Sequence, residues 1–262
     1  GRSRPVAAMP AAVRSFASGA ELCAGLGAAV AEVAARCTAD KFAVALSGGS
    51  LPVLLASGLL AAEGVDYSRW HVFFADERVV PLDDADSNFR ACDEALFSKV
   101  GIPREHVYCV DASLSAEEAA AAYTAQLRAV FPGDGPPAFD LVLLGMGPDG
   151  HTASLFPDHP LLQVTDRWVA HIEDSPKPPP QRITLTYPVL NAAAQVFFVC
   201  TGASKSPNLA VALGVADGCV PAGGVQPSSG NLVWFVDDDA SEEYRAKSAS
   251  APATPATPAE VA

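Results

Sequence analysis

The chain has 262 residues, 50% of them hydrophobic and 18% charged, a globular composition able to bury a substantial core. Its formal net charge of −13 argues against nucleic acid or an anionic membrane as the main partner, and any anionic ligand requires a local positive pocket. No apolar stretch approaches the ~20 residues that span a bilayer.

Residues 1–17 read as an N-terminal extension. Gly1-Arg2-Ser3-Arg4, with no acid before Glu21, has a transit-peptide flavour. The location expected is cytoplasmic, with organelle targeting left open. Residues 18–245 are expected to form a single α/β domain. Ser18-Gly19-Ala20-Glu21 fits a capping box that opens an alanine-rich helix to about Cys37. Phe42–Leu46 is a strand, Pro52 to about Ala62 a helix, and Ser47-Gly48-Gly49-Ser50 the turn between them. Trp70–Ala75 is a second buried strand, ending at the charged loop Asp76-Glu77-Arg78. Ser87-Asn88 caps a helix to about Val100, Val107–Val110 is a short strand, and Ser115-Ala116-Glu117-Glu118 is a second capping box opening a helix to about Val130.

Phe139–Leu144 is the next strand, and Gly145-Met146-Gly147-Pro148-Asp149-Gly150-His151-Thr152 is a glycine-rich loop at its carboxyl end. Strands follow at Trp168–Ile172, Ile183–Thr186 and Val196–Cys200, then a helix from Ser206 to about Val215 and a closing strand Leu232–Val236. Strands alternating with helices imply a Rossmann-like, mostly parallel sheet with helices on both faces. The proline spacing in residues 246–262 forbids helix or ladder, so a disordered Pro/Thr/Ala-rich tail is expected. The six cysteines are scattered without a CxxC pair and read as free thiols in a reducing compartment.

Three loops carry the chemistry. Ser47, Gly48, Gly49 and Ser50 lie at a strand-to-helix junction, where glycines let the backbone approach an anion and a helix start directs N–H groups at it. The segment lacks a P-loop lysine and the third glycine of a dinucleotide fingerprint, which disfavours ATP and NAD. Arg78 is suited to fork onto a phosphate or steady an oxyanion, although Asp76 or Glu77 simply pairing it is the plainer reading. His151 is the one side chain of its loop that shuttles protons near neutral pH. Asp149, His151 and His159 match no metal-ligand spacing, so no metal is expected. His71, His106 and His171 read as structural. Ser175-Pro176-Lys177-Pro178-Pro179-Pro180-Gln181-Arg182 is stiffened by its prolines and holds Lys177 and Arg182 in fixed places. With Lys205, after the strand at Cys200, Arg78 and Arg182 form a converging anion site in an acidic protein.

In order along residues 15 to 240, these segments resemble the 6-phosphogluconolactonase family. The matching pieces include Val44–Ser50, Phe74–Pro81, Ser87–Arg90, Gly145–Pro157, Ser175–Pro179, Arg182–Thr186, Gly202–Lys205 and Trp234–Asp237. Leu51 departs from the pattern where a threonine is expected. The resemblance implies a fold shared with sugar-phosphate isomerases and glucosamine-6-phosphate deaminases. It also implies hydrolysis of 6-phospho-D-glucono-1,5-lactone to 6-phosphogluconate, the second step of the oxidative pentose phosphate pathway, without a cofactor. His151 would then act as general base and acid, with Arg78 on the oxyanion and Asp76, preferred over Asp149, orienting the imidazole. Ser47–Ser50, Arg182 and Lys205 would hold the phosphate, with Lys177 a further substrate contact. A small sugar-phosphate lactone is the expected partner, and a monomer the expected state. The alternative is a glucosamine-6-phosphate deaminase-type isomerase, whose continuation after the histidine resembles Ile-Ala-Phe-Asn-Glu-Pro; here it is Thr152-Ala153-Ser154-Leu155-Phe156-Pro157.

Overall fold

The computed structural model describes residues 11–250. The expectations for Gly1–Arg4 and for most of the tail lie outside those residues. Its centre is a six-stranded, wholly parallel sheet in the order β1-β9-β8-β5-β2-β3. In chain order the elements are β1 (Ala12–Phe16), α1 (Gly19–Arg36), β2 (Phe42–Leu46), α2 (Leu51–Leu59), β3 (Trp70–Phe74), β4 (Asp76–Arg78), α3 (Asn88–Ala95) and α4 (Ala116–Val130). They continue with β5 (Leu141–Gly145), β6 (Val169–Ile172), β7 (Arg182–Leu185), α5 (Tyr187–Ala192), β8 (Val196–Cys200), α6 (Ser206–Ala212), β9 (Leu232–Asp237) and α7 (Asp238–Ser250). Strands β4, β7 and β6 form a second, antiparallel sheet.

Central strands buried on both faces alternate their side chains between two cores. Phe42, Val44 and Leu46 pack with α1, α2 and α3, while Ala43 and Ala45 pack with α4 and α5. Large side chains therefore fill one face of β2 and small ones admit the helices on the other. On the second face Phe198 stacks on Trp234, ring centroids 4.0 Å apart. Helices α1 and α2 touch backbone to backbone: a Cβ built on Gly58 would lie 2.0 Å from the carbonyl oxygen of Cys23.

Both serine caps form. Ser115 accepts from Glu118 N–H at 3.3 Å and Glu118 returns the bond, completing the box. At α1 only the serine half is made, from Glu21 N–H to Ser18 Oγ. Other expectations require correction. Residues 12–16, assigned to an extension, pair with β9 as an edge strand. The domain's last helix, α7, whose start is capped by the Asp237 carboxylate on Ala240 N–H, runs through residue 250, past the expected boundary at 245. Val107–Val110 makes one isolated bridge to Val72 and no strand, since a 3-10 turn at Arg104–His106 leads straight into it. The helix after Ser87 stops at Ala95, where Leu96 leaves helical geometry, and α6 stops at Ala212 before Gly214 at φ +73°. Asp76–Arg78, expected as a loop, is a strand.

Chain order sets where ligands can go. From β2 the chain moves outward to β3, and it later returns on the other side of β2 to build β5, β8 and β9. The reversal lies between β2 and β5, and the crevice beyond their carboxyl ends is the ligand position of open α/β sheets. The loops leaving those two strands are Ser47–Ser50 and Met146–His151. No helix among the described residues is long and apolar enough to cross a membrane.

The Gly58 contact yields a stability test. Gly58→Ala is expected to lower the urea midpoint, with a loss of about 1–3 kcal/mol from overpacking that outweighs the ~1 kcal/mol helix-propensity gain. Gly19→Ala, whose Cβ would meet nothing within 4 Å, is the control and should not destabilise.

Candidate active site

At the switch point lies a cleft of about 250 Å³. Ser47, Gly48, Gly49, Ser50, Asp76, Arg78, His151, Arg182 and Lys205 all line it. Asp149 and Lys177 stand behind His151 and contact it there.

The β2–α2 turn presents an anion cradle. Gly49 has φ +72°, and a Cβ on Gly48 would lie 1.8 Å from Asn88 Oδ1, so both glycines are dictated by geometry. Ser50 caps α2 without a side-chain bond, and in the first helical turn the N–H groups of Leu51 and Val53 have no intrahelical acceptor, while Pro52 has no N–H. Ser47 is 5% exposed, and its Oγ has no hydrogen-bond partner among the described residues.

Across the cleft, β4 and β7 pair so that Arg78 stands directly opposite Arg182. Directly opposed residues of an antiparallel pair point to the same face, so two guanidinium groups share one side of the ribbon. Among the described residues neither forms an ion pair with a carboxylate. The plainer expectation, Arg78 neutralised by Asp76 or Glu77, is not what the chain does. Arg78 donates from Nη1 to the Asp86 carbonyl at 2.6 Å, and its buried Nε has no partner. Arg182, 3% exposed, donates to the carbonyls of Lys177, Pro178 and Pro179 at 2.9, 2.9 and 3.0 Å. Burial pushes its proton affinity down, and the neighbouring Arg78 pushes it further. Paired, carboxylate-free cations in a protein of charge −13 mark this face for an anion.

Glu77 serves the frame. It is fully buried and accepts from the backbone N–H groups of Arg78, Asn88 and Phe89 at 2.7, 2.8 and 2.8 Å. Its carboxylate thus anchors the start of α3 to β4. Asn88 Nδ2 donates to the Asp76 carbonyl at 2.8 Å, so one residue touches both the cradle and β4. Glu77 and Asn88 were missed as site residues; apart from the Ser87 hydroxyl on Glu77 their hydrogen-bond partners are backbone groups, which leave no side-chain pattern in a sequence.

His151 is held on three sides. Its Nδ1 lies 2.5 Å from Asp149 Oδ1, and its ring packs 4.8 Å from that of Phe156. A Cβ on Gly147 would lie 2.1 Å from the imidazole, so glycine there is required for the ring to sit where it does. An ionised carboxylate only accepts, so Nδ1 carries the proton and Nε2 keeps its lone pair. Burial pushes the imidazole's pKa down; the bond and charge of Asp149 pull it up, Lys177 pushes it down again, and the balance is below 6.5. Asp149 is pushed up by burial but brought to about 2 by the His151 hydrogen bond and the nearby charges of His151 and Lys177. Asp76 instead accepts from Ser154 Oγ at 2.8 Å. The partner of His151 is therefore Asp149, two residues away, in place of the preferred Asp76.

Lys177, grouped with the substrate contacts on the sequence, reaches Asp149 and His151 at 3.3 and 3.2 Å. Lys205 lines the cleft at the end of β8, and burial lowers its proton affinity first, with Lys177 adding to the effect. His159 bonds Asp174 and the Leu161 N–H, and no group of three His, Cys, Asp or Glu side chains among the described residues is placed to hold a metal. His71 bonds Tyr108 and stacks on His106.

Comparison with known proteins agrees with this architecture. The sequence profile described as glucosamine-6-phosphate isomerases/6-phosphogluconolactonase matches residues 17–234. The chain is 48% identical over 238 residues to 6-phosphogluconolactonase of Rattus norvegicus, covering 88% of this chain and 93% of that one. A rice relative (Oryza sativa subsp. indica) named a probable chloroplastic 6-phosphogluconolactonase is 43% identical over 84% of this chain and 72% of its own. Among solved structures, 6-phosphogluconolactonase from Trypanosoma cruzi superposes with a TM-score of 0.80 at 29% identity, over 91% of this chain and 98% of that one. The enzyme from Thermotoga maritima gives 0.76 at 34%, over 87% and 99%. A monomeric glucosamine-6-phosphate deaminase, 16% identical with a TM-score of 0.73 over 88% of this chain and 99% of that one, shares the fold. The chain belongs to the glucosamine-6-phosphate isomerase/6-phosphogluconolactonase family.

Proposed function

We propose that the chain is a 6-phosphogluconolactonase, hydrolysing 6-phospho-D-glucono-1,5-lactone to 6-phosphogluconate in the second step of the oxidative pentose phosphate pathway. The observation that carries this reading is His151: fixed at Nδ1 by Asp149, it lines the cleft that holds two carboxylate-free guanidinium groups and an anion cradle.

Ester hydrolysis asks for three things. Water must lose a proton as it attacks C1, the carbonyl oxygen becomes an oxyanion, and the ring oxygen leaves with a proton. His151 Nε2 takes the proton from water, and the imidazolium formed, stabilised by Asp149, returns one to the ring oxygen. Arg78 and loop N–H groups stabilise the oxyanion. The 6-phosphate is held by the Ser47–Ser50 turn, Lys205 and the Nη1 edge that Arg182 leaves unused by its loop. Binding the phosphate far from the reacting carbon converts binding energy into positioning. The scattered thiols support a reducing compartment such as the cytoplasm.

Lactone loss measured above spontaneous hydrolysis tests the assignment. His151→Ala is expected to lower kcat by roughly 10²–10⁴ with a modest change in KM; near wild-type kcat would sink the role given to His151. Lys205→Ala is expected mainly to raise KM, and a loss confined to kcat would remove it from the phosphate site. Ammonia released from glucosamine 6-phosphate would favour the deaminase reading instead.

The pH profile is a separate check. With His151 below its ordinary 6.5, the unprotonated base persists as pH falls through 6.5, and the acid limb of kcat/KM is expected beneath that value. A limb above pH 7 would contradict the half-buried, neutral imidazole.

A further inference from the structure

Lys177 is delivered to the catalytic pair by a built loop. Ser175 N–H donates to the Pro180 carbonyl at 3.3 Å, closing the segment. Ser175 Oγ donates to the Lys177 carbonyl at 2.8 Å and accepts from the Lys177 N–H at 3.3 Å. From the other side the buried Arg182 binds three consecutive carbonyls, those of Lys177, Pro178 and Pro179. The backbone of Lys177 is thereby gripped by a hydroxyl and a guanidinium. Its ammonium lies 3.3 Å from Asp149 Oδ1, 3.3 Å from Oδ2 and 3.2 Å from His151 Nδ1.

That position is chemically pointed. Nδ1 already donates to Asp149, so the ammonium makes no bond to it and meets a neighbouring donor. Asp149 thus shares its charge between two donors. A carboxylate alone beside His151 would favour the imidazolium; an ammonium about as close opposes it. We propose that Lys177 is a positioning residue that sets the charge state of the His151–Asp149 pair, keeping the resting imidazole available as a base, and is not a ligand of the substrate phosphate. This rests on the reading of His151 as general base. The other charges about the imidazole divide: Asp76 favours the imidazolium, while Lys205, Arg78 and Arg182, lining the same cleft, oppose it. Lys177 stands apart from these in touching the pair itself.

The side chains of Lys177 and Asp149 are 38% and 36% exposed, so solvent screens the effect. Lys177→Met should raise the midpoint of the His151 ring titration, followed by NMR on the ligand-free protein, by roughly half a unit to one unit. Assignment of the His151 resonance comes from its loss in His151→Ala. The acid limb of kcat/KM should move upward with it, so that the deficit of the variant grows as pH falls. Lys177→Gln should behave like Lys177→Met, and Lys177→Arg, which keeps the charge, should restore the wild-type midpoint. A midpoint unmoved in Lys177→Met and Lys177→Gln would overturn the proposal. So would a KM raised equally at every pH, which is the signature of a lost substrate contact. The titration is read without substrate, so it stands apart from the lactonase assay: failure of His151→Ala to lose activity would refute the general-base reading while leaving the measured coupling intact.

Discussion

The active-site end of this molecule is organised around an electrostatic conflict, the placement of Arg78 and Arg182 at the two ends of one rung of an antiparallel ribbon. Like charges directly across a ladder repel, and burial of one of them adds desolvation to repulsion. The fold answers with dipoles. Arg182 is surrounded by three carbonyls of its own loop and Arg78 by the carbonyl of Asp86, while the nearest carboxylates are occupied elsewhere, Glu77 on three backbone N–H groups and Asp76 on Ser154. Neutralising the pair with aspartates would have been electrostatically simpler, but would have cancelled the positive charge that the two guanidinium groups bring to the cleft. Carbonyl dipoles stabilise each cation while leaving its net charge for the cleft.

Everything else at the site follows from where that ribbon hangs. Strand β4 continues β3 through Ala75, whose N–H and carbonyl bond Leu46 and Leu185, so the small sheet is stitched to the end of β2. This carries the arginines to the edge of the crevice between β2 and β5. The cradle arrives from β2 and the histidine loop from β5, because those are the strands at which the order of the sheet reverses. Three segments separated by dozens of residues meet through topology, with no direct attraction among them required. Asn88 then ties cradle to ribbon, its amide donating to Asp76 while its oxygen crowds Gly48.

Which parts of this were legible beforehand has a physical pattern. Interior strands announced themselves as apolar runs because both their faces are buried, and Ser115 with Glu118 showed its box because capping is local. Strand β4 did not, since three charged residues carry no apolar alternation and their ladder partners lie about a hundred positions away in β7. Edge strand β1, largely exposed, has little to hide from water and so little pattern. For the site, the residues reaching the cleft were readable from chemistry at strand ends. Their partners were not: Asp76, the neighbour the sequence favours for the histidine, gives way to Asp149 once Gly147 is seen to leave room for the imidazole there. Lys177 has the opposite history. A cation in an acidic chain suggested a phosphate, and only the closure of its loop by Ser175 and Arg182 turns it towards Asp149.

The residues after His151 show why a shared fold need not mean shared chemistry. Thr152 Oγ1 donates to the Gly145 carbonyl at 2.9 Å, and Thr152 and Leu155 exchange backbone bonds around Ala153, which takes φ +46°. That tight turn throws Ser154 back onto Asp76 and brings Phe156 against the imidazole. Thr-Ala-Ser-Leu-Phe is therefore a bracket that occupies Asp76 and leaves Asp149 as the partner of the histidine. A chain with Asn-Glu in place of Leu-Phe along this stretch would lose the ring that packs on the imidazole and gain a carboxylate beside it. The backbone could remain superposable while the histidine acquired a different charge environment, and with it a different reaction.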